Sequence, residues 1–325
     1  MKITQVAVNV LRVPVAHPYV AAGRTVDANW HVLARVTTSD GVEGLGYIVY
    51  PRPDLMGGLL HCALCPLDVA VWDAAGKTLG QPLHRLLGGY RDRLPTYASD
   101  GLWYSLTPDE LAASARRHVD AGFGAVKLRL GREALPELEA RRVRAVRETV
   151  GPDVRIMVDA TESWSLAQAR RTGRVLQDAG IAWLEDPVHH LDVVGLAELR
   201  RRLEVPIAAG EHLYHLDAFR QLLEAQAVDV LILDLARVGG MTPWRKIAAL
   251  AHAHRVPVCG HVVPEIQVHV LCAIPNAHLV EFVPRSAGIL TSMPRLERGE
   301  LVAPDAPGLG LELDEAAVRR YQVVS

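Results

Sequence analysis

The stretches VRIMVD (154–159), IAWLE (181–185), PIAAGE (206–211), VDVLILD (228–234), VPVCGH (256–261) and HLVEF (278–282) decide the fold. Each is an apolar, β-rich run that is too short for a helix, and an acidic or histidine side chain stands at or beside its end. Their regular spacing is typical of the parallel strands of a β/α barrel. Such barrels carry their chemistry at the C-terminal ends of the strands, so these polar residues are the candidates for it.

Two further runs of the same kind, LPTYAS (94–99) and GAVKLRL (124–130), bring the number of predicted barrel strands to eight. Helix-capping signals stand between the strands and support the alternation of strand and helix. They are Thr107 with Glu110, Ser165 with Gln168, Asp217 and Thr242. The sequence therefore predicts an α/β fold built on a TIM-type barrel.

The chain before and after the barrel has a different pattern. Residues 1–50 alternate as strands with a hairpin turn at Asp40-Gly41, and residues 66–88 carry helix signals that end at Gly80. The predicted parts are an α+β capping domain over residues 1–92, the barrel over 93–288, and a tail over 289–325 that returns to the first domain.

Composition and charge narrow the class of function. The 325 residues are 50% hydrophobic and 22% charged, with a formal net charge of −2, so the basic surface of a nucleic-acid binder is missing. The chain starts as a strand instead of a signal peptide, and no apolar run has membrane-spanning length. We therefore expect a cytoplasmic protein that acts on small molecules. The cysteines are expected to be buried thiols without a disulfide, at Cys62, Cys65, Cys259 and Cys272.

Asp159, Glu185 and Glu211 close three consecutive predicted strands, so in a closed barrel their carboxylates face one point. Converging carboxylates repel one another unless a cation neutralises them. A hard divalent ion accepts oxygen ligands and leaves positions for water or substrate, which makes Mg²⁺ the expected cofactor. No histidine or cysteine accompanies them at zinc-ligand spacing. The alternative is that each acid only caps the helix that follows it.

Asp234 and His261 close the next two strands. A carboxylate beside an imidazole fixes the tautomer of the ring and raises its pKa, which suits a general base; otherwise His261 is structural. Glu281, on the last strand, faces the expected metal. We expect it to be either a protonated acid that donates a hydrogen bond to an oxyanion, or one member of a salt bridge.

Lys127 and Arg129 stand two residues apart on the second strand, so both side chains point into the barrel. We expect burial to lower the pKa of Lys127, so that its amine acts as a second base. Arg129 stays protonated and is expected to orient an anion or stabilise charge. The structural alternative for either cation is an ion pair with Glu185 or Asp159.

Seven motifs in a fixed order carry a resemblance to a known family. They are KLR (127–129), VDATESW (158–164), WLEDP (183–187), AAGEHL (208–213), LDLARVGGMT (233–242), CGHVVPEI (259–266) and VEF (280–282). They resemble the enolase superfamily, in particular the mandelate racemase subgroup of the mandelate racemase/muconate lactonizing enzyme family, over nearly the whole chain. The resemblance implies a capping domain closed by the C-terminal tail, a (β/α)₇β barrel, one essential Mg²⁺, and a homo-oligomer as large as an octamer. It also implies reactions that begin by removing the proton α to a carboxylate.

The resemblance implies a role for each matching residue. These are Asp159, Glu185 and Glu211 as metal ligands, Asp234 and His261 as the base dyad, Glu281 as the electrophilic acid, and Lys127 as the first lysine of a Lys-x-Lys motif. Three departures stand out. Arg129 replaces the second lysine, which is the base for one substrate face in racemases, and Thr161 replaces an asparagine. Between Gly46 and Leu60 the chain is shorter than the family pattern, at the loop from which specificity is normally read.

The expected reaction is the dehydration of an acid sugar to a 2-keto-3-deoxy acid, in which His261 takes the α-proton or delivers it to the departing β-hydroxyl. A racemase or epimerase of a 2-hydroxy acid, with His261 and Lys127 on opposite faces, is the first alternative. A non-catalytic carboxylate-binding protein is the second. His17, Tyr19 and Arg24, in a predicted early loop, are candidates for binding substrate hydroxyls or a distal carboxylate.

Overall fold

The computed structural model describes residues 2–21, 24–50 and 59–323. The N-terminal part is an antiparallel sheet of the strands β1 (Ile3–Ala21), β2 (Arg24–Thr38) and β3 (Glu43–Tyr50), in that order. Backbone hydrogen bonds join Thr38 to Gly41 and Val42, where Gly41 has a φ of 76°. The hairpin turn is therefore confirmed. The early loop is not, because His17 and Tyr19 lie in β1.

Helix α1 (Leu59–Thr78) packs against β2 and β3. It begins earlier than predicted, so Pro66, expected at its start, lies inside it. Proline lacks the N–H that a helix interior uses, which is why the sequence favoured a boundary there. The helix approaches the sheet so closely that a Cβ atom at Gly46 would collide with the carbonyl oxygen of Pro66. A glycine is required at this contact.

In the described part of the chain, eight parallel strands alternate with helices and close into a barrel. The strands are β4 (Arg93–Ala98), β5 (Ala125–Arg129), β6 (Arg155–Asp159), β7 (Leu184–Glu185), β8 (Ile207–Ala209), β9 (Val230–Asp234), β10 (Val258–His261) and β11 (Ala277–Phe282). After the short α2 (Leu83–Leu86), the helices are α3 (Pro108–Asp120), α4 (Pro136–Val150), α5 (Leu166–Asp178), α6 (Val193–Arg202), α7 (Leu216–Glu224), α8 (Leu235–Val238), α9 (Met241–Ala253) and α10 (Pro264–Cys272). The ring closes where β11 pairs with β4, with Glu281 opposite Tyr97. The predicted (β/α)₇β barrel is confirmed.

Side chains inside the barrel follow the two-residue alternation of a strand. One buried cluster fills the interior and contains Tyr97, Ala125, Met157, Trp183, Ala208, Val230, Ile232, Cys259 and Leu279. The residue two positions later on a strand points inward as well, but at the C-terminal rim. Seven residues stand two positions after a residue of the interior cluster and therefore point inward at the rim. They are Ser99, Lys127, Asp159, Glu185, Asp234, His261 and Glu281.

The tail returns to the N-terminal sheet and contains β12 (Leu296–Glu297), β13 (Glu300–Val302) and α11 (Glu315–Tyr321). Asp73 of α1 is buried, and its two oxygens accept hydrogen bonds from the backbone N–H groups of Leu45 and Leu309, each at 2.7 Å. Further on, the N–H of Val323 donates to the carbonyl of Val10 at 2.8 Å. One buried carboxylate thus ties a cap strand, a cap helix and the tail together.

The helix-capping predictions have mixed outcomes. Thr107 and Ser165 form complete capping boxes, as predicted. The prediction for Asp217 is wrong, because His215 occupies the N-cap position of α7, without a side-chain hydrogen bond. Asp217 falls in the first turn, where its negative charge interacts favourably with the helix dipole. The prediction for Thr242 is also wrong, because α9 begins one residue before it.

All four cysteines are buried, as predicted. Among the residues described by the structure, no helix combines the length and the apolar character that crossing a membrane requires.

His269 in α10 gives stability a dependence on pH. Its ring is fully buried, and Nε2 lies 2.9 Å from the backbone carbonyl oxygen of Leu309 in the tail. Burial lowers the pKa of His269 to about 3, although the contact with Leu309 opposes the shift. The unfolded chain takes up this proton near pH 6.5 and the folded protein only near pH 3. The stabilisation that comes from keeping His269 neutral is therefore fully present above about pH 6.5. It is lost as the pH falls, and the free energy of unfolding is lower by about 2 kcal/mol at pH 5.

His269→Gln keeps a hydrogen-bond donor for Leu309 and removes the titrating group. Urea denaturation at pH 7 and pH 5 should show that the wild type loses about 2 kcal/mol more unfolding free energy than this variant. His252→Gln, at an exposed position of α9, is the control and should behave like the wild type. An equal loss in His269→Gln and in the wild type would contradict the prediction.

Candidate active site

The candidate site lies at the C-terminal rim of the barrel. Asp159, Glu185, Asp234 and His261 are the final residues of their strands, and the alternation of each strand turns them inward. Glu211 differs from them, because it lies two residues beyond β8. The glycine before it, Gly210, has a φ of 129°, a conformation that other residues rarely adopt. This bend allows Glu211 to come within 3.4 Å of Nε2 of His261.

A buried lysine lies at the centre of the rim. Nζ of Lys127 is 2.6 Å from Oε1 of Glu185 and 3.0 Å from Oε1 of Glu281, and all three side chains are fully buried. The indole N–H of Trp183 donates to the second oxygen of Glu185 at 3.0 Å. Burial alone would lower the pKa of Lys127, but the two glutamates outweigh it and the pKa is raised. The expected lowering of this pKa is therefore wrong, because the sequence does not show how close the counter-charges lie.

Arg129 is held by three different contacts. Its Nη1 donates to the carbonyl and the hydroxyl of Ser99 at 3.0 and 2.7 Å, and its guanidinium lies 4.5 Å from the centre of the Trp103 ring. The carboxylates of Asp159 and Glu281 are each 3.7 Å away. Burial opposes charge here, but these carboxylates raise the pKa of Arg129. The guanidinium is thus a fixed positive charge at the edge of the site.

The structure brings the predicted dyad together. Nδ1 of His261 lies 2.6 Å from Oδ2 of Asp234, whose other oxygen accepts a hydrogen bond from the backbone N–H of Arg237 at 2.8 Å. Burial by itself lowers the pKa of His261, but Glu211 and Asp234 raise it above its usual value. Because Asp234 engages Nδ1, the atom left for chemistry is Nε2.

Glu281 is a paired carboxylate in this structure. One oxygen contacts Lys127, and the other accepts a hydrogen bond from the backbone N–H of Val262 at 2.9 Å. Burial favours the protonated form, but Lys127, His261 and Arg129 outweigh it and lower the pKa of Glu281. The contacts of Glu281 therefore match the salt bridge, which is the second of the two expectations, instead of an acid that donates a hydrogen bond.

The three predicted metal ligands share the rim but are not equally available. Among the described residues, two groups have possible ligand atoms that lie within 4.8 Å of one another, and the group that contains a predicted metal ligand is Asp186, Glu211 and His212. Glu185 is turned toward Lys127 instead. Both oxygens of Asp186 and Oε2 of Glu211 are buried without a hydrogen-bond partner. Unpartnered buried carboxylate oxygens are costly, and a hard divalent cation would satisfy them, so the residues fit such an ion.

Asp186 and His212 were missed from the sequence. Strand alternation turns Asp186 away from the barrel, but its φ of 41° reverses the backbone and brings it within 3.5 Å of Nε2 of His212. Burial raises the pKa of Asp186 well above its usual value, and the charge of Glu211 adds to the shift. Nδ1 of His212 contacts Nη1 of Arg237 at 2.8 Å. The only indication of this pair in the sequence is that Asp186 directly follows Glu185 and His212 directly follows Glu211.

A cavity of about 300 Å³ opens above these residues. It is lined by Asp159, Glu211, Asp234, His261 and Arg129, and also by Thr161, Glu162, His212, Arg237, Tyr50, Trp103 and Arg285. One pocket therefore holds acids, a base and a fixed guanidinium. Thr161 lines this cavity, and its contact with a substrate stays a prediction.

The other candidate substrate contacts lie elsewhere. His17 and Tyr19 line a separate cavity of about 570 Å³, which shares Trp103 and Arg285 with the cavity of the site, and Tyr19 stacks on Trp103 at 4.3 Å. Arg24 begins β2, but its side chain is outside the described residues. The shortened segment between Gly46 and Leu60 falls mostly on residues 51–58, which are also outside them.

The enolase C-terminal domain-like family matches residues 110–317 of this chain. The chain belongs to the enolase superfamily. The L-talarate/galactarate dehydratase of Salmonella typhimurium strain LT2 is 33% identical over 266 residues, which cover 82% of this chain and 67% of that enzyme. The family match spans the strand-end acids and the His261–Asp234 pair.

Two solved structures of the enolase superfamily superpose on nearly the whole chain. L-talarate dehydratase from Polaromonas sp. JS666, complexed with Mg and L-glucarate, has a TM-score of 0.93 and 28% identity and covers 99% of this chain and 98% of its own. A racemase from Streptomyces coelicolor A3(2) with bound magnesium has a TM-score of 0.92 and 28% identity and covers 99% of this chain and 100% of its own. Both dehydratases and racemases thus share this fold.

Lys127→Met tests whether the buried lysine supports the site. The change keeps the length of the side chain but leaves Glu185 and Glu281 without their counter-charge. Removing one partner of a buried ion pair costs about 3–5 kcal/mol, so urea denaturation should show a loss of that size. Lys246→Met, at an exposed position of α9, is the control and should stay within about 0.5 kcal/mol of the wild type. A similarly small change in Lys127→Met would contradict the prediction.

Proposed function

We propose that this chain is a magnesium-dependent acid-sugar dehydratase. It removes the proton α to a carboxylate, expels the β-hydroxyl and releases a 2-keto-3-deoxy acid. The observation that supports this most strongly is the His261–Asp234 pair, which lines one cavity together with Asp159 and Glu211. Its relatives include an L-talarate/galactarate dehydratase, which supports the same reaction class. The homo-oligomer implied by the resemblance stays a prediction.

Asp159, Glu185 and Glu211 are proposed to hold the Mg²⁺. Oxygen-only ligands are what this ion prefers, and the buried Oε2 of Glu211 has no hydrogen-bond partner. When bound, Mg²⁺ supplies positive charge that stabilises the negative charge developing on the substrate carboxylate. Nε2 of His212 lies 3.5 Å from carboxylate oxygens of both Asp186 and Glu211, and Asp186 is proposed to help orient Glu211 through this ring.

His261 is proposed to move the protons. Asp234 holds Nδ1, so Nε2 takes the α-proton from the substrate and then delivers it to the departing hydroxyl, which leaves as water. No second base is needed for this sequence, because the same atom accepts and returns the proton. Glu281 is proposed to stay near the carboxylate end of the substrate, where Lys127 and Arg129 compensate its charge.

The cations opposite His261 favour dehydration over racemisation. A two-base racemase needs a group that accepts a proton on the other face of the substrate. Arg129 keeps its proton, and the pKa of Lys127 is raised by two glutamates instead of lowered toward neutrality. The similar racemase from Streptomyces coelicolor keeps racemisation as the second candidate. A non-catalytic carboxylate-binding protein is the third, and the intact dyad argues against it.

A screen of acid sugars with Mg²⁺ for 2-keto acid formation tests the proposal directly. At least one acid sugar should give a 2-keto-3-deoxy acid, and His261→Asn should lower that rate by about 10³-fold or more while the protein still binds Mg²⁺. Glu211→Gln should lose both turnover and Mg²⁺ binding. His252→Asn is the matched control and should keep full activity. A dehydrating His261→Asn variant would overturn the assignment of the base.

Arg129→Lys separates the dehydratase from the racemase. In deuterated water, the wild type should form keto acid and leave recovered substrate without inverted, α-deuterated product. A lysine at this position is titratable, so the variant should dehydrate more slowly and exchange the α-proton on the second face. The measurement is the deuterium content and configuration of recovered substrate by NMR. Inversion with α-deuteration by the wild type, without keto acid, would leave the racemase as the function.

A further inference from the structure

A second group of possible metal ligands lies on the rim, outside the proposed Mg²⁺ site. Glu162, His189 and His190 each offer one ligand atom, and these atoms lie within 4.8 Å of one another. We propose that these three residues bind a divalent transition-metal ion such as Zn²⁺, Co²⁺ or Ni²⁺. This site is distinct from the carboxylates of the barrel ring and does not depend on the proposed dehydration.

Two neighbouring loops build the group. Glu162 lies in the turn after β6, where Thr161 and Glu162 both have positive φ values of 45° and 58°. The backbone N–H of Glu162 donates to the carbonyl of Asp186 at 2.8 Å, which fastens this turn to the loop after β7. His189 and His190 follow on that second loop, with their rings stacked at 4.3 Å. The fold, instead of sequence proximity, brings the carboxylate to the imidazoles.

The hydrogen bonds of His190 prepare it as a ligand. Oε1 of Glu162 accepts the backbone N–H of His190 at 2.6 Å and lies 2.7 Å from Nδ1 of the same residue. Nδ1 of His190 and Oε1 of Glu162 are close enough to coordinate one ion together, in which case the ion takes the place of the proton shared between them. The second oxygen of Glu162 takes part in neither bond. It is a further ligand atom at the same place.

His189 completes the group from the solvent side. Its side chain is exposed, and Nδ1 accepts a bond from the backbone N–H of Leu191 at 3.2 Å. A bond of that length between near neighbours in the chain is weak, so coordination can replace it. Glu162 and His190 are partly buried, with 19% and 25% of their side-chain surface exposed. Two ligands are thus held in place, and the third closes the site from the solvent side.

The donor set distinguishes this site from the Mg²⁺ site. Imidazole nitrogens suit zinc, cobalt and nickel, whereas Mg²⁺ prefers oxygen ligands. Two histidines and one glutamate also leave coordination positions open. Because Glu162 lines the same cavity as His261, the group borders the candidate active site.

The alternative is that the group binds no ion and that Glu162 and His190 form only an ion pair. A measurement of zinc binding distinguishes the metal site from the ion pair. Protein in excess Mg²⁺, which fills the oxygen site, is equilibrated with Zn²⁺, passed through a desalting column and analysed for zinc by mass spectrometry. The wild type should retain one more zinc per chain than the double variant His189→Ala/His190→Ala. Glu162→Gln, which keeps the size of the side chain, should bind zinc at least tenfold more weakly by calorimetry.

His252→Ala/His254→Ala is the matched control, because it removes two exposed histidines near the end of α9. It should retain as much zinc as the wild type. Equal zinc in the wild type and in His189→Ala/His190→Ala would overturn the proposal, and so would a wild type that retains none. Circular dichroism of each variant excludes misfolding as the cause of a loss. Acid-sugar turnover is not part of the readout, so failure of the proposed dehydration would leave this result intact.

Discussion

The contact of Lys127 with Glu185 and Glu281 is the interaction on which the rim of this barrel depends. Buried carboxylates around the rim repel one another, and the ammonium of Lys127, 2.6 Å from Glu185 and 3.0 Å from Glu281, offsets that repulsion. The same lysine is thereby fixed in its charged form. The surroundings of Lys127 therefore support a role in balancing charge instead of a role as a base.

The sequence predicted the fold and most of the rim because both follow from strand alternation. Met157 and Asp159 stand two residues apart on one strand, as do Cys259 and His261. An apolar core residue therefore predicts that the residue two positions later also points inward, at the rim. The prediction from the sequence failed where the backbone departs from the two-residue alternation of a strand. A positive φ turns Asp186 inward, and such a bend has no signature in a non-glycine residue. The helix start predicted at Pro66 was wrong because local preference did not decide it. Proline disfavours a helix interior, but packing against the sheet maintains α1 through this residue. The charge states of Lys127 and Glu281 depend on distances that only the closed barrel defines.

The rim is chemically asymmetric. On one side His261 and Asp234 form a proton-transfer pair with Nε2 available, whereas on the other side Arg129 is held by Ser99 and Trp103 and keeps its proton. This asymmetry suits a reaction that takes and returns a proton on one face. It also separates this chain from a two-base site without requiring any change in the fold, which dehydratases and racemases share.

A crystal structure of the protein grown with Mg²⁺ tests most directly whether the strand-end acids form the metal site. Oxygens of Asp159, Glu185 and Glu211 should each lie about 2.0–2.1 Å from one ion, with Glu185 coordinating the ion through one oxygen. An ion bound by Asp186, Glu211 and His212, with Glu185 still engaged only by Lys127 and Trp183, would contradict this assignment.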